Sequence, residues 1–148
     1  MRIALAADHA GYELKDELSG WLRETGHEII DLGTNGPESV DYPQFGAKLA
    51  AEIASGRAER GIAVCGSGLG ISIAINREPK CRCARVDDPL SARLAREHND
   101  ANVLALGARL IGHDMARACV TAFLGTDFAG GRHQRRVDQL SQLLQDSD

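Results

Sequence analysis

Apolar residues along the chain fall into two alternating spacings. Unbroken short runs at Ile3–Ala7, Ile29–Leu32 and Ile62–Cys65 have the length and continuity of strands buried on both faces. Between them, Leu14, Leu18, Trp21 and Leu22 recur at helical spacing, and Gly26 marks where that helix stops. Phe45, Leu49, Ala50 and Ile53 form a second stripe that closes near Gly56, after a loop from Gly33 to Asp41. Beyond Cys65 the pattern predicts a short helix over Ser72–Asn76, a strand around Arg82–Val86 and a helix from Pro89 through Leu94. A strand at Val103–Leu106, a helix from about His113 to Leu124 and a last helix over about residues 132–145 complete the series.

Strands alternating with helices in this way predict a single α/β domain over residues 1–148. The expected architecture is a three-layer α/β/α, Rossmann-like fold with a mainly parallel five-stranded sheet and right-handed crossovers. In such sheets ligands bind beyond the carboxyl ends of the strands. Asp8 and His9 follow the first strand and Cys65 ends the third, so two chemically capable clusters fall on one rim. The terminal helix has an apolar stripe that one small domain leaves partly uncovered, which predicts its use in dimerisation.

Composition narrows the partners. With 43% hydrophobic residues, 26% charged residues and a net charge of -4, the chain has the balance of a soluble globular domain. It lacks the basic excess that attracts nucleic acid or an anionic membrane. Its first apolar stretch is too short for a signal peptide and no run approaches a membrane span, so a cytoplasmic protein is expected. Cys65, Cys81, Cys83 and Cys119 are thinly spread and are expected to be free thiols. Cys81 and Cys83 could offer two metal ligands, but no Cys or His companion stands at zinc spacing, and strand packing is the expected role.

Three clusters carry chemistry. The run Ala63-Val64-Cys65-Gly66-Ser67-Gly68-Leu69-Gly70 reads as a buried strand opening into a glycine loop whose main-chain N–H groups can approach an anion, with one thiol beside them. Its G-x-G-x-G spacing departs from dinucleotide loops, because Ile71 stands where the third glycine would be, and no Gly-Lys-Ser or Gly-Lys-Thr follows. A tight turn with an inert thiol is the competing reading. In Arg96-Glu97-His98-Asn99-Asp100, His98 suits proton transfer near neutrality, or simply a polar helix end, with Asn99 as a cap. In Gly130-Gly131-Arg132-His133-Gln134-Arg135-Arg136, a helix would bring Arg132 and Arg136 to one face as a guanidinium clamp for a phosphate dianion. A solvated basic face fits equally well, and Arg109 is a further candidate cation.

Taken in order, these motifs, with Ala7-Asp8-His9-Ala10-Gly11 and Asp41-Tyr42-Pro43, resemble those of the ribose-5-phosphate isomerase B family, which is grouped with the galactose-6-phosphate isomerase subunits. The resemblance covers nearly the whole chain. It implies a metal-independent aldose-ketose isomerisation of a phosphorylated sugar through an enediolate, with no cofactor. Some members of that family use a cysteine as base and others a glutamate at the position of Ile71; this chain resembles the cysteine type, with Cys65 moving the proton. The resemblance further implies that Gly66, Ser67, Gly68, Leu69 and Gly70 bind the enediolate oxygens and that Ser67 relays a proton between them. His98 would open the furanose ring, Asp8 would hold or deprotonate a sugar hydroxyl, and Asn99 would bind the sugar. His9, Arg109, Arg132 and Arg136 would hold the phosphate, and Tyr42 would line the pocket. It also implies a homodimer or homotetramer whose sites are shared between subunits, His98 and Asn99 facing a partner's Cys65.

Ribose 5-phosphate is the expected substrate, with allose 6-phosphate, galactose 6-phosphate or a tetrulose 4-phosphate as alternatives. Ser67 in place of a frequent threonine keeps the hydroxyl. Lys80, Leu90 and Arg85, the last in an otherwise apolar strand, also depart from the family pattern. A thiol-based hydrolase or transferase and a non-catalytic sugar-phosphate-binding module are the rival classes.

Overall fold

In the computed structural model of the protein, the described residues are 1–143. Its elements are β1 (Arg2–Ala7), α1 (Tyr12–Glu24), β2 (Glu28–Asp31), α2 (Tyr42–Ala54), β3 (Arg60–Cys65), α3 (Leu69–Ile75), β4 (Cys83–Arg85), α4 (Pro89–Asn99), β5 (Val103–Gly107), α5 (His113–Leu124) and α6 (Arg132–Leu143). The five strands lie in the order β2-β1-β3-β5-β4, and every pairing is parallel.

Strand alternation divides the core into two layers. Ile3, Leu5, Ile62, Val64, Leu104 and Leu106 point to one face and pack against α1, α4 and α5, including Leu18 and Phe123. Ala4, Ala6, Ala63, Cys65 and Ala105 point to the other and meet Phe45 and Leu49 of α2 and Ile71 and Ile75 of α3. The small residues on this second face let α2 and α3 approach the sheet closely. The expected three-layer α/β/α fold is therefore present, with an all-parallel rather than mainly parallel sheet.

Buried Lys15 ties α1 to the segment after β2. Its ammonium donates to Asp31 at 2.7 and 2.9 Å, to Asp16 at 2.7 Å and to Asn35 at 3.1 Å, so all three N–H groups are partnered. Asp31 also accepts from the N–H of Gly33 at 2.9 Å.

Helix α3 spans Leu69–Ile75 and so begins three residues before the expected Ser72, directly after the left-handed Gly68, and two further elements differ clearly from their expected extents. Strand β4 is only three residues long. Helix α4 continues past Leu94 to Asn99, because Arg96, 3% exposed, takes a core position that an apolar residue usually fills. Its guanidinium donates to Asp100 Oδ1 and the Ala101 carbonyl, each at 2.7 Å, and to the Thr126 carbonyl at 3.1 Å. Asp100 then ends the helix at a left-handed φ of 46°. Helix α6 is observed over Arg132–Leu143, buries Val137 and leaves Leu140 and Leu143 exposed; expected helical positions 144–145 lie outside the described residues.

Candidate active site

Ala7 pairs with Val64, so β1 and β3 end side by side and deliver Asp8 and Cys65 to the same rim. Gly11 permits this: a Cβ there would lie 2.5 Å from the Val64 carbonyl oxygen, so only glycine lets the start of α1 press on β3. Asp8 is buried, and its Oδ1 accepts from the N–H groups of Ala10 (3.0 Å) and Gly11 (3.2 Å). That fixes the carboxylate and leaves Oδ2 as the oxygen for a ligand.

These residues wall a cleft of about 320 Å³, completed by Tyr42, Gly66, Ser67, Gly70, Arg109 and Leu110. Tyr42, the first residue of α2, lays its ring on the loop, since a Cβ at Gly70 would fall 2.6 Å from Tyr42 Cζ. Arg109 follows β5 and crosses Gly66. Cys65 is 4% exposed at the base of the cleft, and its Sγ accepts from the N–H of Gly68 at 3.2 Å. Gly68 adopts a φ of +77°, which glycine alone reaches without strain, and this turn aims its N–H back at the sulfur. The Leu69 N–H is also used within the loop, donating to Ser67 Oγ at 3.2 Å. Gly68 and Leu69 thus shape the cleft without lining it, while Gly66, Ser67 and Gly70 face it.

A second cleft of about 310 Å³ lies between the end of α4 and the start of α6. His98 and Asn99 from α4 meet His133 and Arg136 from α6, above Val137 and Leu140. The rings of His98 and His133 stack at 4.5 Å with an interplanar angle of 16°. Burial, then the charges of His98, Arg132 and Arg136, hold His133 below the ordinary imidazole value, as expected where basic groups crowd together. An anion would relieve that repulsion.

The sequence-predicted residues therefore form two groups. Asp8, Tyr42, Cys65, Gly66, Ser67, Gly70 and Arg109 share the first cleft; His98, Asn99 and Arg136 share the second. His9 and Arg132 line neither. His9 Nδ1 faces Val40 instead, 3.1 Å from its N–H and 3.2 Å from its carbonyl oxygen, and Arg132 is exposed at the first position of α6. Leu110 and His133 are lining residues that sequence spacing did not single out. His133 carried a usable signal, because it stands three residues before Arg136 and shares its helical face.

A larger groove of about 490 Å³ runs between β4 and α6, lined by Cys81, Cys83, Ala84, Leu140 and Leu143 among others. It is less suited to proton transfer. Burial pushes the Cys81 thiol up to about 12 and raises Cys83 as well, while Cys119, in the opposite core layer, is pushed up to about 11. Cys81 Sγ packs against the Ala50 carbonyl at 3.7 Å. Cys65 is thus the thiol that joins a cleft with a carboxylate, a hydroxyl and a guanidinium.

Residues 3–140 match the family model described as Ribose/Galactose Isomerase. The chain is 44% identical over 144 residues to the Escherichia coli protein named ribose-5-phosphate isomerase B, covering 97% of each. It superimposes on a structure of Clostridium thermocellum ribose-5-phosphate isomerase B with a TM-score of 0.98 at 48% identity, covering 100% of both chains. It is also similar, with a TM-score of 0.94 and 34% identity over 99% of this chain and 97% of the other, to ribose-5-phosphate isomerase B from Mycoplasma genitalium with bound ribulose-5-phosphate.

Proposed function

The chain belongs to the Ribose/Galactose Isomerase family, and from that premise we propose that this sugar-phosphate isomerase interconverts ribose 5-phosphate and ribulose 5-phosphate without a metal, with Cys65 as the base. The observation that carries the reading is the placement of Cys65 Sγ in one cleft with Asp8, Ser67 and Arg109, held by the Gly68 N–H. Ile71, the position for a carboxylate base in the alternative family type, is fully buried in the core. The ribulose-5-phosphate bound by the Mycoplasma genitalium relative supports the five-carbon substrate.

Isomerisation moves a hydrogen between the first two carbons of the open-chain sugar. The Cys65 thiolate takes the proton from C2 of the aldose, and the electrons move into an enediolate whose oxygens face Ser67 and the glycine loop. Return of the proton to C1 gives the ketose, while Ser67 Oγ relays the proton exchanged between O1 and O2. Asp8 Oδ2 holds a sugar hydroxyl, and Tyr42 forms the wall opposite the loop. His98 protonates the ring oxygen of the furanose as it opens, and Asn99 binds the sugar. Arg136, with His133 beside it, holds the phosphate together with Arg109, while Arg132 and His9, which line neither cleft of a single chain, reach it only where two chains meet.

Within one chain the thiol and His98 line separate clefts. That separation supports an assembly in which the basic cleft of one subunit faces the Cys65 cleft of another, as homodimer or homotetramer. The exposed Leu140 and Leu143 beside the apolar groove support the use of α6 in that contact.

The direct test is conversion of ribose 5-phosphate to ribulose 5-phosphate in the presence of EDTA, with Cys65→Ala alongside. The expected result is turnover by the wild type and none by the variant. Retained turnover in Cys65→Ala would remove the thiol from the mechanism. No wild-type turnover on ribose 5-phosphate would move the substrate to allose, galactose or tetrulose phosphates.

A further inference from the structure

We propose that Arg85 is a positioning residue for Cys65 and acts through the one peptide unit that joins Ser67 to Gly68. The inference deepens the reading of Cys65 as the base and rests on it. Arg85 Nε donates to the Ser67 carbonyl oxygen at 2.9 Å, and Arg85 itself does not line the cleft. The N–H of that same amide, on Gly68, donates to Cys65 Sγ at 3.2 Å. Guanidinium, amide and sulfur therefore form one line of hydrogen bonds.

Two physical effects follow. A charged donor on an amide oxygen draws electron density from the amide nitrogen, so its N–H becomes a stronger donor to whatever it faces. The bond also holds the peptide in one orientation. Gly68 sits at a φ of +77° in a glycine-rich turn, where a peptide plane can rotate and carry its N–H away from the sulfur. Arg85 fixes the oxygen end and so prevents that rotation.

The anchor is itself held. Arg85 Nη1 pairs with Asp87 at 2.5 Å, and the side chain is only 21% exposed. Its aliphatic stem packs on the loop, with Cγ 3.2 Å from where a Cβ at Gly68 would lie. These contacts account for a cation in a strand position that the sequence pattern marks as apolar.

Among the described residues, the other ionisable groups that share the cleft of the sulfur or couple to it are Asp8 after β1, Tyr42 on α2, Cys83 on β4 and Arg109 after β5; α3 contributes none. None of these bonds to the Ser67–Gly68 peptide, so Arg85 can be altered without touching them.

The test is the pH dependence of Cys65 alkylation by iodoacetamide, followed by peptide mass so that Cys81, Cys83 and Cys119 are scored separately. Two variants separate the donor from the charge: glutamine places Nε2 at the chain position of the arginine Nε, and methionine places a carbon there. For Arg85→Met the expected result is a half-maximal rate displaced to higher pH and Cys65 labelling about threefold slower below that point. Arg85→Gln is expected to recover most of the difference, and the KM for ribose 5-phosphate is expected to stay within about twofold in both. An unchanged profile in Arg85→Met overturns the proposal. So does an Arg85→Gln profile identical to that of Arg85→Met, which would leave only a through-space charge. Arg85→Leu serves as the apolar variant if Arg85→Met does not fold, with thermal melting as the check. Labelling does not require turnover, so active Cys65→Ala protein would defeat the base assignment while the alkylation profile still decided the role of Arg85.

Discussion

The clefts at Cys65 and at His98 have nearly equal volumes, about 320 and 310 Å³, but they are built in opposite ways. The first is a product of main chain: two adjacent parallel strands end together, and a glycine turn folds its own N–H onto the sulfur. The second is a product of side chains, in which two histidines and an arginine from the ends of two helices are brought face to face. Backbone placement suits bond-making, where an error of about 1 Å costs a large factor in rate. Clustered cations suit holding an anion, whose charge offsets their repulsion wherever it sits within the cluster.

This contrast can be broken most directly at the thiol. Cys65→Ala is expected to lower kcat by about a thousandfold or more with KM little changed, measured on ribose 5-phosphate. A comparable rise in KM would show that the first cleft binds rather than reacts. The next test concerns whether the two clefts meet across subunits. Cys65→Ala and His98→Asn chains, each nearly inactive alone, are expected to recover about a quarter of wild-type activity when co-expressed, because half of the dimers are mixed and each mixed dimer has one intact site. No recovery would confine the reaction to a single chain.

At the second cleft, Arg136→Ala is expected to raise KM by about ten- to a hundredfold while kcat changes little, the loss of one charge-assisted contact to a dianion. The smallest effect concerns His133, whose value in the folded protein lies below the ordinary one near 6.5. The folded chain then binds this proton less readily than the unfolded chain, so stability falls as pH drops through and below that range. Inorganic phosphate is expected to flatten the decline in melting temperature, and His133→Asn is expected to flatten it without phosphate. An identical slope in wild type and variant would remove His133 from the cationic cluster.

The same difference in construction explains what could be read from the chain. Asp8, Cys65 and the glycine loop were legible because parallel strands in a three-layer fold put their carboxyl ends on one rim, a rule that needs only strand positions. The extent of α4 was not, since buried Arg96 interrupts the apolar stripe and disguises residues 95–99, somewhat more than one turn, as a polar segment. Arg132 and Arg136 were correctly placed on one helix, yet only Arg136 reaches the cleft, with His133 as its neighbour in place of Arg132. The meeting of His133 with His98 depends on how α6 leaves the turn at Gly130 and Gly131, both at positive φ, and no local spacing encodes that direction. The link from Arg85 to Cys65 is invisible for the same reason: it passes through a carbonyl, which has no letter in the sequence.

The order of the strands also decides what yields first when the molecule is warmed. β3 lies in the middle of the sheet, paired on both sides and without solvent contact from Ile62 to Val64, whereas α6 buries Val137 alone and also meets the rest of the described chain at the His98–His133 stack and where the Ser141 hydroxyl donates to the Pro79 carbonyl. Amide protons of β3 should therefore exchange only with global opening and those of α6 with local detachment. On the proposed mechanism, a chain near its melting point would let go of the anion while its thiol was still in place. On that mechanism such a fold separates tolerance in grip from tolerance in chemistry: the terminal helix can drift in sequence and trade affinity, while the central strand cannot move without ending the reaction.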